Sequence, residues 1–248
     1  MLKFYEKHRV LFAVILIVVY CVTNAPIKEK YGYGSIQMLL LLAAFTVAIA
    51  IFVKAGHLEE DLGLKGWPKN MKKLLYLIPM FVVATGNVWD GFAPSFTGTA
   101  LLYAILSMAL VGFVEEAIFR GFLFKGMLAE GSAAAAIVVS SLTFGIGHIV
   151  NIFAGQANFE TFIQMIFAIT WGFIFTMVYY KGGKLWPCII AHSMIDVLAE
   201  LGADNGTANW VSIIATIIVG IVYCIYLSRL ETPVSMRAEN KKEICGGK

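Results

Sequence analysis

Six ionisable side chains lie within long apolar stretches of this sequence. They are Glu115, Glu116, Arg120, His148, His192 and Asp196. A charged group at the centre of a bilayer costs about 2.5–3.5 kcal/mol on insertion scales. Because separate exposure of all six to lipid would be costly, we expect them to converge on one site. Carboxylates beside imidazoles are the groups that activate a water molecule or bind a metal ion.

The segment GFVEEAIFRGFLF contains two adjacent glutamates with different neighbours. Glu116 and Arg120 are four residues apart, so they share a helix face and can form an ion pair. Glu115 lies about 100° around the helix from Glu116, which leaves it free to accept a proton. Desolvation in an apolar site makes a carboxylate a stronger base. Taken alone, the Glu116–Arg120 pair could equally be a structural link between helices.

Two further segments each contain a histidine. His148 lies in SSLTFGIGHIVN, and a helical hairpin turning near Glu130 would bring it to a depth similar to that of Glu115. His192 lies four residues before Asp196, so the carboxylate can orient the imidazole. Each histidine alone could be an interhelical hydrogen-bonding residue. Polar residues on three helices of one small protein favour a functional site.

Long apolar runs predict the elements that position these residues. Of the 248 residues, 59% are hydrophobic and only 14% are charged, with a mean hydropathy of +0.79. Soluble domains have about 25% charged residues, so we expect the bilayer to be the solvent for most of the chain. A net charge of +3 is too small to suggest nucleic acid. We predict an all-α polytopic membrane protein with about eight transmembrane helices. The runs are 10–23, 35–54, 74–89, 100–127, 133–153, 160–180, 185–201 and 210–229.

These runs divide the chain into three parts. Residues 1–98 are expected to form three N-terminal transmembrane helices, residues 99–201 the helices of the site, and residues 202–248 a last transmembrane helix and a polar cytoplasmic tail. The first run is short and follows three basic residues. It is therefore either a cleaved signal or, as we favour, a retained anchor.

The distribution of basic residues predicts the orientation. With an inner N-terminus and alternating helices, 17 of the 19 lysines and arginines fall on the inner side. Only Lys28 and Lys30 fall on the outer side. Because inner loops are rich in basic residues, we expect both termini to be cytoplasmic.

Three motifs in order resemble the CPBP family, which holds the CAAX prenyl endopeptidases and the bacterial Abi and bacteriocin self-immunity proteins. The similarity covers roughly residues 99–200. The motifs are EExxxR at Glu115, Glu116 and Arg120, FxxxH at Phe144 and His148, and HxxxN/D at His192 and Asp196.

This resemblance implies an intramembrane peptidase of the metallo- or glutamate type, in a bacterial plasma membrane, acting on a membrane-associated protein or peptide. By the same analogy, Glu115 and His148 activate a water molecule, and His192 with residue 196 stabilises the oxyanion or binds a metal. Glu116 and Arg120 would support Glu115.

Two points follow from the resemblance but stay open. If a metal is used, it would be zinc held by Glu115, His148 and His192; the site could equally be metal-free. Prenyl-processing members usually carry Asn where this chain has Asp196, which favours the bacterial immunity branch. The alternative functions are a non-catalytic partner in bacteriocin immunity or sensor regulation and, third, an ion or proton pathway.

Overall fold

Helices form wherever the sequence carries a long apolar run. The structure, a computed structural model, describes residues 1–66, 71–153, 155–203 and 207–237. Parts of the predicted 54–73 surface loop and of the polar tail therefore lie outside the described residues. Over the described ranges the α-helices are α1 (Leu2–Lys7), α2 (Arg9–Tyr31), α3 (Ile36–Ala55), α4 (Ile78–Ala84), α5 (Gly98–Glu116), α6 (Lys125–Glu130), α7 (Ala133–Gly147), α8 (Asn158–Gly182), α9 (Trp186–Leu201) and α10 (Thr207–Ser228).

Six helical segments among the described residues are long and apolar enough to cross a membrane. They are Arg9–Tyr31, Ile36–Ala55, Gly98–Glu130, Ala133–Ile152, Asn158–Gly182 and Trp210–Ser228. The other two predicted spans are shorter. Leu74–Val88 combines 3₁₀ and α-helical pieces, and α9 has 16 residues. The all-α polytopic membrane fold is confirmed, with six long spans and two shorter helices in place of eight similar ones.

The long helix from Gly98 to Glu130 changes its winding in the middle. A π-helical segment, Ala117–Phe124, joins α5 to α6 and begins directly after Glu116. Such wide turns are rare and are found mostly at functional sites. The winding of the backbone therefore changes directly after the two glutamates, in the segment that contains Arg120.

Glycines let the helices that carry these residues approach closely. A Cβ atom added to Gly112 of α5 would lie 2.6 Å from the backbone nitrogen of Ser193 in α9. A Cβ atom added to Gly172 of α8 would lie 2.7 Å from the carbonyl oxygen of Ser141 in α7. Small residues allow this kind of backbone contact between membrane helices. The α5–α9 and α7–α8 pairs are thus packed backbone to backbone.

Basic residues gather at one end of the bundle. Arg9 at the start of α2 and Lys125 at the start of α6 both pair with Asp61, at 3.5 and 3.1 Å. At the same end, Lys184 Nζ donates to the carbonyl oxygen of Lys65 at 2.6 Å. The helix ends and loops that the charge count assigns to the inner side therefore contact one another.

The loops assigned to the outer side also meet. The backbone nitrogen of Ser95 donates to the carbonyl oxygen of Glu200 at 2.9 Å, and that of Ala203 donates to Gly91 at 3.1 Å. The end of the first long helix differs from the prediction. Lys28 and Lys30, which we placed in an outer loop, belong to α2, because this helix continues past Pro26 to Tyr31 instead of ending at residue 23.

The clustering of loops gives a first test, of orientation. We expect alkaline phosphatase to be active when fused after Ser95 or Ala203, and inactive when fused after Lys65 or Lys184, because only the first pair should lie outside. Enzyme activity in whole cells, normalised to fusion abundance, measures this. Equal activity at Ser95 and Lys65 would contradict the predicted orientation.

Candidate active site

The centre of the site is an ion pair with no exposure to solvent. Arg120 Nη1 donates to Glu116 Oε1 at 2.7 Å, and both side chains have 0% exposure. Arg120 Nη2 also donates to the carbonyl oxygen of Gly172 at 3.3 Å. The guanidinium therefore joins the α5–α6 segment to α8 while it neutralises one of the two glutamates.

His192 links this pair to two other carboxylates. Its Nδ1 lies 2.8 Å from Glu116 Oε1, and a carboxylate oxygen can only accept, so Nδ1 carries a proton. Its Nε2 lies 3.4 Å from Asp196 Oδ2 and 3.7 Å from Glu115 Oε2. With carboxylates on both sides, the ring can carry a proton on each nitrogen.

Glu115 has a different environment from Glu116. Its Oε1 accepts a hydrogen bond from the Tyr20 hydroxyl at 2.9 Å, and its Oε2 faces His192. No lysine or arginine lies within 4 Å of its carboxylate among the described residues. Adjacent glutamates on one helix therefore have separate partners, as the helical geometry predicts. Arg120 binds Glu116 at 2.7 Å, while Glu115 contacts no lysine or arginine of the described ranges and lies 3.7 Å from His192, beyond hydrogen-bonding distance.

His148 lies where α7 passes into a 3₁₀ turn, His148–Ile152, in place of the continuous helix expected to residue 153. Its Nδ1 lies 3.1 Å from the carbonyl oxygen of Phe144. Because a carbonyl only accepts, Nδ1 carries the proton, and in the neutral ring Nε2 is left as a base.

A cavity of about 400 Å³ brings these groups together. Glu115, His148, His192 and Asp196 all line it, whereas Glu116 and Arg120 lie behind His192. Its volume is within the range of about 300–1,000 Å³ typical of ligand sites. All six residues singled out from the sequence thus belong to one connected group. The remaining lining residues include Tyr20, Cys21, Asn24, Lys28, Tyr33, Asn151, Gln164 and Glu200.

A second cavity, of about 500 Å³, lies between α4 and α9. Its lining is apolar apart from Thr85 and contains no titratable side chain. It can hold hydrocarbon but cannot perform acid–base chemistry, so the first cavity is the candidate site.

Aromatic rings hold the polar centre in place. The Phe175 ring stacks on His192 with centroids 5.4 Å apart, and the Phe144 ring meets His192 edge-on at 5.5 Å. Arg120 Cζ lies 4.2 Å from the Phe144 centroid. Rings above a cation add stabilisation in an apolar site. Phe175 is a buried core residue and also fixes the orientation of the His192 ring.

Sequence reasoning missed the contribution of α2. Tyr20, Asn24 and Lys28 are four residues apart and line the cavity on one face of this helix. Lys28 Nζ donates to Asn151 Oδ1 at 3.1 Å and lies 5.2 Å from the Tyr33 ring centroid. Their regular spacing was a usable signal. It was lost because the predicted helix ended at residue 23, before Asn24 and Lys28, whereas α2 continues through Pro26, a residue that membrane helices tolerate.

The predicted metal ligands do not form a metal site as they are arranged. Within the part of the chain that the structure describes, no group of three or more His, Cys, Asp or Glu side chains has a geometry that could hold a metal ion. Both nitrogens of His192 already face carboxylates. The zinc site that the resemblance implies stays a prediction.

Comparison with known families bears on this geometry. Residues 97–198 match a family model described as type II CAAX prenyl endopeptidase Rce1-like. This segment, less than half of the chain, is similar to that family. It agrees with the resemblance to the CPBP family, which is confirmed. Searches of the curated proteins and of the solved structures find no match.

The Rce1-like segment covers α5 to most of α9 and contains all six residues singled out above. It leaves out α2, and with it Tyr20, Asn24 and Lys28. The preference for the bacterial immunity branch, drawn from Asp196, stays a prediction.

The buried ion pair gives a second test, of stability. Replacing Glu116 by Gln strips Arg120 of its charge partner at a site with 0% exposure, and breaking a buried pair costs about 3–5 kcal/mol. We expect Glu116→Gln to lower the unfolding temperature in detergent and the amount of protein in the membrane. Glu60→Gln, which breaks the exposed pair with Lys65, is the control and should change little. Equal stability of the two variants would show that the Glu116–Arg120 pair does not stabilise the fold.

Proposed function

We propose that this protein is an intramembrane endopeptidase that hydrolyses a peptide bond in a membrane-associated substrate. The Rce1-like match supports a peptidase, because that family is a protease family. The observation that carries the proposal is the unequal environment of the two glutamates. Arg120 neutralises Glu116, while Glu115 faces the cavity and keeps one oxygen free for a water molecule.

Glu115 and His148 have complementary tasks towards that water. Tyr20 holds Glu115 Oε1, so Oε2 is the oxygen that can take a proton. His148 Nε2 can accept the water's second hydrogen, because the Phe144 carbonyl keeps the ring proton on Nδ1. A water bound by two acceptors has its lone pair directed away from them and towards the substrate.

The proposed reaction neither takes up nor releases a proton, because Glu115 receives one proton and later returns it. The water oxygen attacks the scissile carbonyl carbon as its proton passes to Glu115. His192 Nε2–H stabilises the resulting oxyanion, while Glu116 holds the ring through Nδ1 and the negative charge of Asp196, 3.4 Å from Nε2, favours the protonated ring. Glu115 then gives its proton to the leaving nitrogen as the carbon–nitrogen bond breaks. Glu115 is restored, and the products are an amine and a carboxylic acid.

In this proposal the chemistry is that of a glutamate peptidase. The donor types could in principle bind zinc, but the arrangement of the described side chains does not make a metal site. Activity that persists after dialysis against a chelator would support the metal-free form, and activity lost on chelation and restored by zinc would require the metallo form.

Replacement of the proposed base is the direct test. Glu115→Gln keeps size and hydrogen bonding but cannot take a proton, so cleavage should fall by about 10²–10⁴, the factor that general-base catalysis supplies. We would incubate purified protein in lipid vesicles with a library of membrane-anchored peptides and identify products by mass spectrometry, with and without chelator. Glu115→Gln should unfold at the wild-type temperature. Wild-type cleavage by a folded Glu115→Gln variant would rule out this base, and cellular function that survives His148→Ala would favour a non-catalytic partner.

Tyr20 should act by positioning Glu115. Tyr20→Phe removes one hydrogen bond to a carboxylate, which corresponds to a fall in kcat of about tenfold. Because Tyr20 orients the carboxylate that acts on the water and does not hold the substrate in this proposal, kcat should fall while KM changes little. Tyr226→Phe, on an exposed face of α10, is the control. Reduced stability with kcat unchanged would show a structural role only.

A further inference from the structure

Helix α2 carries a polar stripe along the cavity that the Rce1-like match does not cover. The stripe consists of Tyr20, Asn24 and Lys28. Tyr20 is bound to Glu115, and Lys28 to Asn151. Asn24, between them, is only 8% exposed, and its side-chain nitrogen has no hydrogen-bond partner in the described structure.

A buried amide without a partner is costly, and native structures rarely keep one without a reason. Leucine or alanine at position 24 would carry no such cost on a membrane helix. Asn24 is among the residues that line the cavity, so a molecule that enters the cavity lies beside this side chain and can supply the missing partner. The site therefore has a side-chain N–H group, that of Asn24, without a hydrogen-bond partner among the described residues.

The chemistry of Asn24 suits a peptide main chain. Its amide offers N–H donors and a carbonyl acceptor, which match the carbonyl and N–H groups of a peptide bond. Asn24 is four residues from Tyr20, which corresponds to about 6 Å along the helix. An extended peptide advances about 3.3 Å per residue, so this distance spans about two residues.

We propose that Asn24 is a substrate-binding residue that hydrogen-bonds the main chain of the substrate about two residues from the bond attacked at Glu115. This rests on the proposed peptidase function. It assigns to α2 the alignment of the peptide, while the Rce1-like segment supplies the hydrolytic groups. A water molecule that satisfies Asn24 permanently is the competing explanation.

The test combines a variant with modified peptides. From the library, we would select the peptide that binds most tightly to Glu115→Gln protein in phosphatidylcholine–phosphatidylglycerol vesicles. Each amide of that peptide would then be replaced, one at a time, by an ester, which removes the N–H and weakens the carbonyl. Binding constants and, in the wild-type background, KM and kcat would be measured with and without Asn24→Leu. Thr23→Val is the matched control, since Thr23 is exposed on the adjacent helix position and bonds only within α2.

We expect Asn24→Leu to raise Kd and KM about fivefold, the size expected for one neutral hydrogen bond, with kcat little changed. One ester, about two residues from the cleaved bond, should weaken binding to protein that retains Asn24 but not to the Asn24→Leu variant. Thr23→Val should leave both constants unchanged. The unfolding temperature of Asn24→Leu should not fall, because the variant removes an unpaired polar group.

Failure of this proposal differs from failure of the proposed function. Suppose that the peptide is cleaved, but each ester weakens binding by the same factor in protein with Asn24 and in the Asn24→Leu variant. That result would overturn the role of Asn24 and leave the peptidase function intact. A peptide that binds through Asn24 but is never cleaved would overturn the peptidase alone. If no peptide of the library binds, both proposals fall.

Discussion

The Glu116–Arg120 pair is the interaction on which the rest of the site depends. A charge inside a membrane protein is tolerated only with a partner, and here each member has 0% exposure. The two side chains neutralise each other and also bond to other helices. Arg120 reaches α8 through the Gly172 carbonyl, and Glu116 reaches α9 through His192. One ion pair thus connects three helical segments and sets the orientation of the imidazole that faces the cavity.

Two glutamates that are neighbours in sequence can differ in chemistry because a helix turns about 100° per residue. That rotation directs Glu116 to the arginine four residues later and Glu115 to Tyr20 and the cavity. The π-helical segment Ala117–Phe124 follows directly, so that Glu115, Glu116 and Arg120 all lie on one continuous helical segment. Different hydrogen-bond and ion-pair partners therefore arise from backbone geometry, with no change of residue type.

Much of the architecture could be predicted because apolar length and basic-residue counts are local properties of the sequence. The grouping of Glu115, His148 and His192 could be predicted from the cost of burying charge, without knowing which helices pack against one another. The role of α2 could not be obtained in this way. Lys28 looked like an outer-loop residue because the first apolar run ended at residue 23, and Tyr20 alone gives no sign of which face of its helix meets the cavity. Only the packing of α2 beside the long helix shows where their side chains lie.

The glycine contacts between α5 and α9 have a consequence for how the protein can vary. Gly112 lies against the backbone of Ser193, one residue from His192, and a Cβ atom there would lie 2.6 Å from the Ser193 nitrogen. Any larger residue must therefore push α9 outward, and the 2.8 Å hydrogen bond from His192 to Glu116 would lengthen with it. The distance between the α5 and α9 backbones thus sets the distance between His192 and Glu116. A substitution at position 112, which carries no titratable atom of its own, would therefore alter the contact between His192 and Glu116.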